Sequence, residues 1–460
     1  MEPESWMFPI TVMLGSLNHA EVQACSISSV PDELRNQNDK AFKPKVVSIG
    51  PIHCGSTRQL QLMEETKWHY MREFLDRNRN QGEGRVSRIE ACGHQILQID
   101  NAVRASYGGN TELEPKELAK LMIVDGCFVL EFLFKLASYM IELSDPSRST
   151  GYSGDPIFED KKKVLAVMND ITMLENQIPL VVLKSLYRKV FPHPDGTLIH
   201  NDHRVVQLVR EAFGYPQKEG GGGAHILNLM HLSTVEHDQY QRKAAKKELT
   251  RCATRLRAVG IVIQAKKPNS KIELEDRFNF DIKFNHNKLE IPTLQIKETT
   301  EVKWRNLIAW EQSKISIRCK FTSYALFFRG LICCKHDIEL LEEKKVIVNE
   351  SGKSKEDLLK LFLTISKGAE HMDSSYGEIC SELNMYRERK VATALQWLPI
   401  VIWHLCRHAF QIIVYYGINW YKILIRDHIS TVWKLVGVLA ATVLLILTIM
   451  QTIYSARSSN

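Results

Sequence analysis

The stretch Leu118–Leu143 reads LAKLMIVDGCFVLEFLFKLASYMIEL, and its character decides the fold. The runs Leu121 to Val124 and Phe128 to Leu130 leave almost no polar face, so a helix here must be enclosed by other structure rather than laid on a surface. It belongs at the centre of a large domain. Asp125 and Glu131 interrupt it. Carboxylates carried inside a core pair with a base, accept hydrogen bonds, or shift their pKa upward as acid–base groups do. The stretch 145–156, DPSRSTGYSGDP, has the Pro, Gly and Ser content of a surface loop that ends the unit.

Upstream, residues 1–43 read as irregular and polar, and Val46-Val47-Ser48-Ile49-Gly50-Pro51 as a short extended run stopped by Gly-Pro. Leu60, Met63, Tyr70, Met71 and Phe74 keep a three-to-four spacing that predicts an amphipathic helix over 59–75, followed by a solvated loop at 77–88. Downstream, a second helix is expected from Lys163 to Tyr187, kinked or broken at Pro179, which has no N–H to donate. Asn176 and Gln177 beside it carry amides suited to freed backbone acceptors, while Asp170 and Glu175 add two more carboxylates.

Residues 192–225 form a variable region with His193, His200 and His203. The run Gly220–Gly223 lacks the Lys-Ser/Thr of a phosphate loop and reads as a linker. His225, His231 and His237 recur every six residues, which on a helix rotates each by about 240°, so they share no metal-binding face. Lys243–Val259 reads as a basic helix. Phe278, Phe280, Ile282 and Phe284 alternate with polar residues, turn at Asn285-His286-Asn287 and resume at Leu289 and Ile291, predicting a β-hairpin over 276–296. Thr299 or Thr300 caps a helix carrying Trp304, Leu307, Ile308 and Trp310, and helices follow at 322–334 and 337–343. Ser354 to Asp357 resembles a capping box for another ending near Ser366. The class is therefore mainly α with a small hairpin or sheet, an α+β arrangement.

The last apolar run, Leu435–Tyr454, carries no charge between Lys434 and Arg457. Twenty helical residues at about 1.5 Å rise match a hydrocarbon core roughly 30 Å thick. A single transmembrane helix is expected over 432–456, anchored through residues such as Leu435, Leu445 and Tyr454, with a tail at 457–460. The segment 396–431, with Trp403, Tyr415, Tyr416, Trp420 and Tyr421, suits either a juxtamembrane helix at the headgroup level or packing against the domain. Lys422, Arg426 and Lys434 precede the run and only Arg457 follows, so the positive-inside rule puts the large domain, 44–395, in the cytosol. Glu2 and Glu4, with Pro9 in the apolar stretch, do not suit a signal peptide.

Composition excludes further classes. The 60 basic and 53 acidic residues, net charge +7, are spread along the chain without a one-sign block, which argues against a nucleic-acid surface. The ten cysteines include no C-x-x-C pair, so reduced thiols and no zinc site are expected. There is no G-x-S-x-G elbow, no H-E-x-x-H, no kinase set, and Gly352-Lys353-Ser354 has Ile347 where a phosphate loop needs glycine. No enzyme activity, cofactor or metal is expected. Asn349-Glu350-Ser351 is the one glycosylation sequon.

Several ordered motifs carry a resemblance. Val47 to Pro51, Met63 to Trp68, Val124 to Glu131, Leu174 to Pro179, Leu289 to Pro292, Arg305 to Gln312 and Thr322 to Tyr324, with the terminal apolar helix, resemble the plant family named domain of unknown function 247 over about residues 45–455. The resemblance implies a plant-specific, mostly helical domain with a C-terminal membrane helix and no established activity. Some grass members are associated with self-incompatibility on the pollen side. His53-Cys54 departs from the Tyr-His or His-His common there, and the Gly220–Gly223 run enlarges a variable region. Gly50, Pro51, Glu64, Lys67, Asp125, Gly126, Cys127, Phe128, Glu131, Leu174, Glu175, Asn176, Gln177, Pro179, Pro292, Arg305, Asn306 and Glu311 are the motif residues, expected to be structural. The expected function is that of an interaction or recognition protein in the plasma membrane, with a protein partner and the bilayer as its contacts. Its loops at about 77–88, 145–156 and 192–225 would carry specificity. The alternatives are an enzyme using Asp125, Glu131, Asp170 and Glu175, or a passive scaffold.

Overall fold

The computed structural model describes residues 24–78, 84–108, 111–144, 152, 154–192, 198–216, 222–235, 248–266, 278–314, 317–369, 376–386, 391–423 and 432–458. The chain divides into two units, Met1–Tyr386 and Arg387–Asn460.

The first unit begins with α1 (Asp32–Arg35), α2 (Arg58–Gln61), α3 (Glu64–Asp76), α4 (Arg85–Gln98) and α5 (Asp100–Ser106). Then come the long α6 (Pro115–Ser144), α7 (Lys161–Ile171), α8 (Leu180–Val190), α9 (Leu198–Ala212), α10 (Ile226–Thr234) and α11 (Ala253–Ala258). The expected enclosed helix is α6, which packs against α3, α4, α8 and α9. Met122, Phe128, Phe132 and Leu133 are sealed at its centre, and the Phe128 ring lies 5.3 Å from that of Tyr70 on α3. At Gly126 the helices come so close that a Cβ would stand 2.4 Å from Leu186 Cδ1 on α8. Any larger residue would require the Leu186 side chain to move aside.

A second core follows. It is built from β1 (Val262–Lys266), β2 (Lys283–Asn285), β3 (Lys288–Pro292), β4 (Leu294–Ile296), α12 (Thr300–Gln312), α13 (Lys320–Leu331), α14 (Lys335–Glu343), β5 (Ile347–Asn349), α15 (Lys355–Thr364) and α16 (Gly377–Met385). Trp304, Leu307, Ile308 and Trp310 make α12 apolar on most sides, and it is buried accordingly. Trp304 Nε1 donates to Phe321 O at 3.1 Å, so the indole enters the core with its polar atom paired. Strands β2 and β3 form a hairpin where one was expected, turning at His286–Asn287 with His286 at φ 59, but its first strand is only Lys283–Asn285, and Phe278–Ile282 are not strand. Ser354 caps α15 by accepting from Asp357 N, as the capping pattern predicts.

The structure differs from the sequence reading at several places. Residues 24–43 are not merely irregular: α1 and a 3₁₀ turn at Asp39–Ala41 bring Val30, Leu34 and Phe42 into the second core and Ile27 into the first. Their apolar residues are too sparse to show a period. The helix expected over 59–75 is divided at Leu62–Met63 into α2, capped by Thr57, and α3. The loop expected through residue 88 ends earlier, because α4 starts at Arg85 and buried Arg88 donates to Leu75 O at 2.7 Å and Asn78 O. The helix expected from Lys163 to Tyr187 is broken rather than kinked: it stops at Ile171 and resumes at Leu180, so the break is wider than expected and Pro179 closes it.

The basic helix at 243–259 is helical only over Ala253–Ala258 among the described residues. The hairpin has a third strand, β1, parallel to β3 from Val262↔Lys288 to Lys266↔Pro292, and β4 pairs with β5 in parallel. Residues 79–83, most of the 145–156 loop, residues 193–197, Gly220, Gly221, His237 and residues 424–431 lie outside the described residues.

The second unit contains α17 (Val391–Ile423) and α18 (Val432–Ser458). The described side chains of Trp403, Tyr415, Tyr416, Trp420 and Tyr421 are exposed on α17. The 24-residue stretch Val432–Ser455 of α18 contains an 18-residue window with a mean hydropathy of 2.3 and is long and apolar enough to cross a membrane.

Replacing Gly126 by Val should overpack the α6–α8 contact and destabilise the first unit by about 1–3 kcal/mol. A thermal melt of the full chain reads this directly. An unchanged midpoint would show that Leu186 gives way freely.

Candidate functional site

The motif residues converge on the segment Lys45–Gly50, which is neither helix nor strand and pairs with no strand among the described residues. Five of its N–H groups are met by side chains instead. Asp170, at the end of α7, accepts from Lys45 N at 3.0 Å, Val46 N at 2.6 Å and Val47 N at 2.9 Å. Asn176 Oδ1 accepts from Ile49 N at 2.7 Å, and its Nδ2 donates to Val47 O and Asp170 O, both at 3.0 Å. Asp125 Oδ2, on α6, accepts from Gly50 N at 2.8 Å. Gly50 itself sits at φ +73, where a Cβ would stand 2.6 Å from the Tyr107 hydroxyl. That position needs glycine for both reasons.

Each buried carboxylate has a partner. Lys67 Nζ, on α3, donates to Asp125 Oδ1 at 2.8 Å and lies 2.8 Å from Glu64 Oε1, while its own side chain is fully enclosed. Burial alone would lower the Lys67 ammonium, but Asp125 and Glu64 outweigh it and hold it above its ordinary value. Burial also pushes Asp125 upward against the opposing pull of Lys67 and the Gly50 N–H. Glu131 is held bidentately by Arg77, Nε to Oε2 at 2.5 Å and Nη2 to Oε1 at 2.8 Å.

Glu175 accepts from Val30 N at 2.7 Å and from Arg35 through the same Oε1, and its Oε2 lies 3.2 Å from His53 Nε2. Burial would raise Glu175, yet His53, Arg35 and the Val30 N–H outweigh it and hold the carboxyl down at about 2. For Asp170 burial wins and pushes the group up to about 6 against its backbone donors.

Gln177 completes the loop. Its Nε2 donates to Ile171 O and to Met173 O at 2.8 Å, and its Oε1 accepts from Leu227 N at 3.2 Å. Asn176 and Gln177 therefore serve backbone acceptors that the interrupted helix leaves open, the role expected of them. Leu174 N donates to Asn306 Oδ1 at 2.9 Å, and Asn306 Nδ2 donates to Ala41 O at 2.8 Å. Glu311 accepts from Phe321 N, Thr322 N and the Thr322 hydroxyl, with His231 Nε2 at 3.0 Å. Arg305 pairs with Glu301 at 3.0 Å and donates to Thr364. Cys127 is enclosed on α6, Pro292 closes β3 opposite Lys266, and Pro51 is half-buried.

The partners Arg35, His53, Arg77 and His231 were not visible in the sequence, because nothing in their local pattern marks the carboxylate each meets. Spacing also concealed a second group: Cys252, Cys333 and Asp337 bring their ligand atoms within 4.8 Å of one another.

Lys67→Met leaves the Asp125 carboxylate buried without its cation and should destabilise the chain by roughly 3–5 kcal/mol, whereas Lys67→Met with Asp125→Leu should recover part of that loss. Urea unfolding of the single and double variants measures it. Glu175 makes a separate, pH-dependent prediction. Its folded pKa lies below its unfolded value, so its contribution is present above about pH 4.5 and disappears as pH falls through about 2. The stability gap between the native chain and Glu175→Gln, on the order of 2 kcal/mol after solvent screening, should close over that window. Asp170 titrates in both proteins and cancels in the difference. A gap independent of pH would rule out an ionised Glu175 as its cause.

A family model described as DUF247, plant protein of unknown function, matches residues 27–447. Among similar proteins, UPF0481 protein At3g47200 of Arabidopsis thaliana is 27% identical over 402 residues, covering 81% of this chain and 79% of that protein. Putative UPF0481 protein At3g02645, also of Arabidopsis thaliana, is 22% identical over 438 residues, covering 74% of this chain and 78% of that protein. No solved structure matches. The motifs that close around Lys45–Gly50 thus lie within the matched span, and the chain belongs to the plant family of unknown function DUF247.

Proposed function

We propose that this chain is a single-pass protein of the plasma membrane whose helical domain faces the cytosol and binds a protein partner. The observation that carries the reading is Val432–Ser455, which has the length and hydropathy of a span and none of its most apolar window buried. A core helix of that hydropathy would be covered, as α6 is. The exposed aromatic residues of α17 suit a helix lying at the headgroup level, with Arg407 stacked 5.5 Å over Trp403. The charge bias of Lys422, Arg426 and Lys434 against Arg457 supports a cytosolic domain. So does Asn349, whose amide donates to Lys353 O at 2.8 Å and accepts from Ser351, leaving the sequon engaged in a turn.

The partnering of Asp125, Glu131, Asp170 and Glu175 favours a scaffold over an enzyme built on those carboxylates. Recognition then falls to the surface connections, with the 77–88 region shortened by the start of α4. The pollen self-incompatibility role rests on the family resemblance alone.

Leu439→Lys with Leu444→Lys should release the full chain from membranes on alkaline carbonate washing, because each charge at a span's centre costs about 2.5–3.5 kcal/mol. The native chain should stay in the pellet, and its appearance in the wash would overturn the anchoring. Protease treatment of sealed right-side-out vesicles should spare the large domain, and proximity labelling from it should tag cytosolic proteins.

A further inference from the structure

The pairing of α11 with α14 brings together three donor side chains that are far apart in sequence. Cys252 precedes α11 and is buried; Cys333 precedes α14 and is exposed; Asp337 lies in the first turn of α14 and is fully enclosed. Their sulfur and oxygen atoms all fall within 4.8 Å of one another. In a tetrahedral zinc site with metal–sulfur bonds of about 2.3 Å and metal–oxygen bonds of about 2.0 Å, donor atoms lie roughly 3.5–3.8 Å apart. The three groups need to close by only about an ångström to reach it.

The carboxylate is already aimed. Asp337 Oδ1 accepts from Thr254 N at 2.8 Å, and Oδ2 accepts from Cys333 N at 2.9 Å and Cys334 N at 3.1 Å. These three backbone donors orient it, as a second shell orients a ligating carboxylate, and the Thr254, Cys333 and Cys334 side chains bond to it as well, so an ion would enter by displacing a thiol proton. Cys334 Sγ donates to the same Oδ2 at 3.4 Å, so a third thiol lies beside the carboxylate. Cys333 is exposed while Cys252 and Asp337 are buried, so the group reaches the surface on the Cys333 side.

We propose that Cys252, Cys333 and Asp337 form a binding site for a thiophilic divalent metal ion of the zinc class. Two thiolates with one carboxylate select zinc or cadmium over magnesium or calcium, which take oxygen donors. A bound ion would tie α11 to α14 at the edge of the second core. It would also require the sequence-based expectation of no metal to be abandoned, since that expectation rested on closely spaced pairs.

The test uses the full chain purified in detergent, reduced and freed of metal, then titrated with Co²⁺. One equivalent should produce the thiolate-to-cobalt charge-transfer absorption, and Zn²⁺ should abolish it by displacement. Cys333→Ser, at an exposed position that leaves the core intact, should weaken Co²⁺ binding about ten-fold or more and diminish the charge-transfer band. Cys54→Ser, at an exposed cysteine outside the group, should bind as the native chain does. Equal binding by the native chain and Cys333→Ser would overturn the site. So would absence of the charge-transfer band, or a Cys252–Cys333 disulfide recovered from plant membranes by peptide mass, which would make the pair a redox couple instead.

Discussion

A buried peptide segment with no adjacent strand must have its N–H groups met by something, because each one left unpaired costs about 1–3 kcal/mol. Val47–Gly50 is such a segment, with Lys45 and Val46 leading into it from the surface, and Asp170, Asn176 and Asp125 meet its donors. These side chains come from the end of α7, from the loop after it and from the middle of α6. The segment therefore fixes how α6 and α7 stand relative to each other. Lys67 extends the constraint to α3 through Asp125, and Glu175 extends it to His53 and Arg35. Loss of one member opens several contacts at once.

The loop Thr172–Pro179 has a second duty, for it belongs to both cores. Ile178 is buried in the first, while Leu174 is buried in the second. Asn306 holds the Leu174 N–H and the Ala41 carbonyl together, so the N-terminal segment, the α6 core and the α12 core meet at one amide side chain. Apolar packing alone would allow the two cores to slide. Hydrogen bonds to particular atoms at their junction restrict the arrangement to one register, which is the best-attested contribution of polar groups inside proteins.

What the sequence made legible follows from where its information is local. The enclosed helix, expected over 118–143, is observed over Pro115–Ser144 because its apolar run needs no distant partner to declare itself. The cap at Ser354, the turn at His286–Asn287 and the terminal apolar helix are legible for the same reason. The break was expected at Pro179, where it ends, but it begins earlier, at Thr172. Proline is a local signal, whereas the actual break depends on Asp170, Asn176 and Gln177 competing for backbone groups, some of them in residues 45–49. Strand β1 was missed because its parallel partner, β3, lies beyond an intervening segment. At the candidate site the donor inventory of Asn176 and Gln177 predicted their role, but the identities of Arg35, His53 and Arg77 are properties of the folded chain.

The same contacts decide what the four carboxylates of the motifs can do. A carboxyl held at about 2, as Glu175 is, stays ionised at neutral pH and is a weak base, because Arg35, His53 and the Val30 N–H favour its charged form. Asp170, at about 6, has a value suited to proton transfer, yet three backbone N–H groups occupy its oxygens where a substrate would have to approach. Asp125 and Glu131 are likewise occupied by Lys67 and Arg77. Acid–base chemistry needs a titratable group with a free direction, and these groups have theirs closed by the chain they hold in place. Cys333 differs in this respect: it stands at the surface beside a buried thiol and an oriented carboxylate, so donor atoms there remain within reach of a solute.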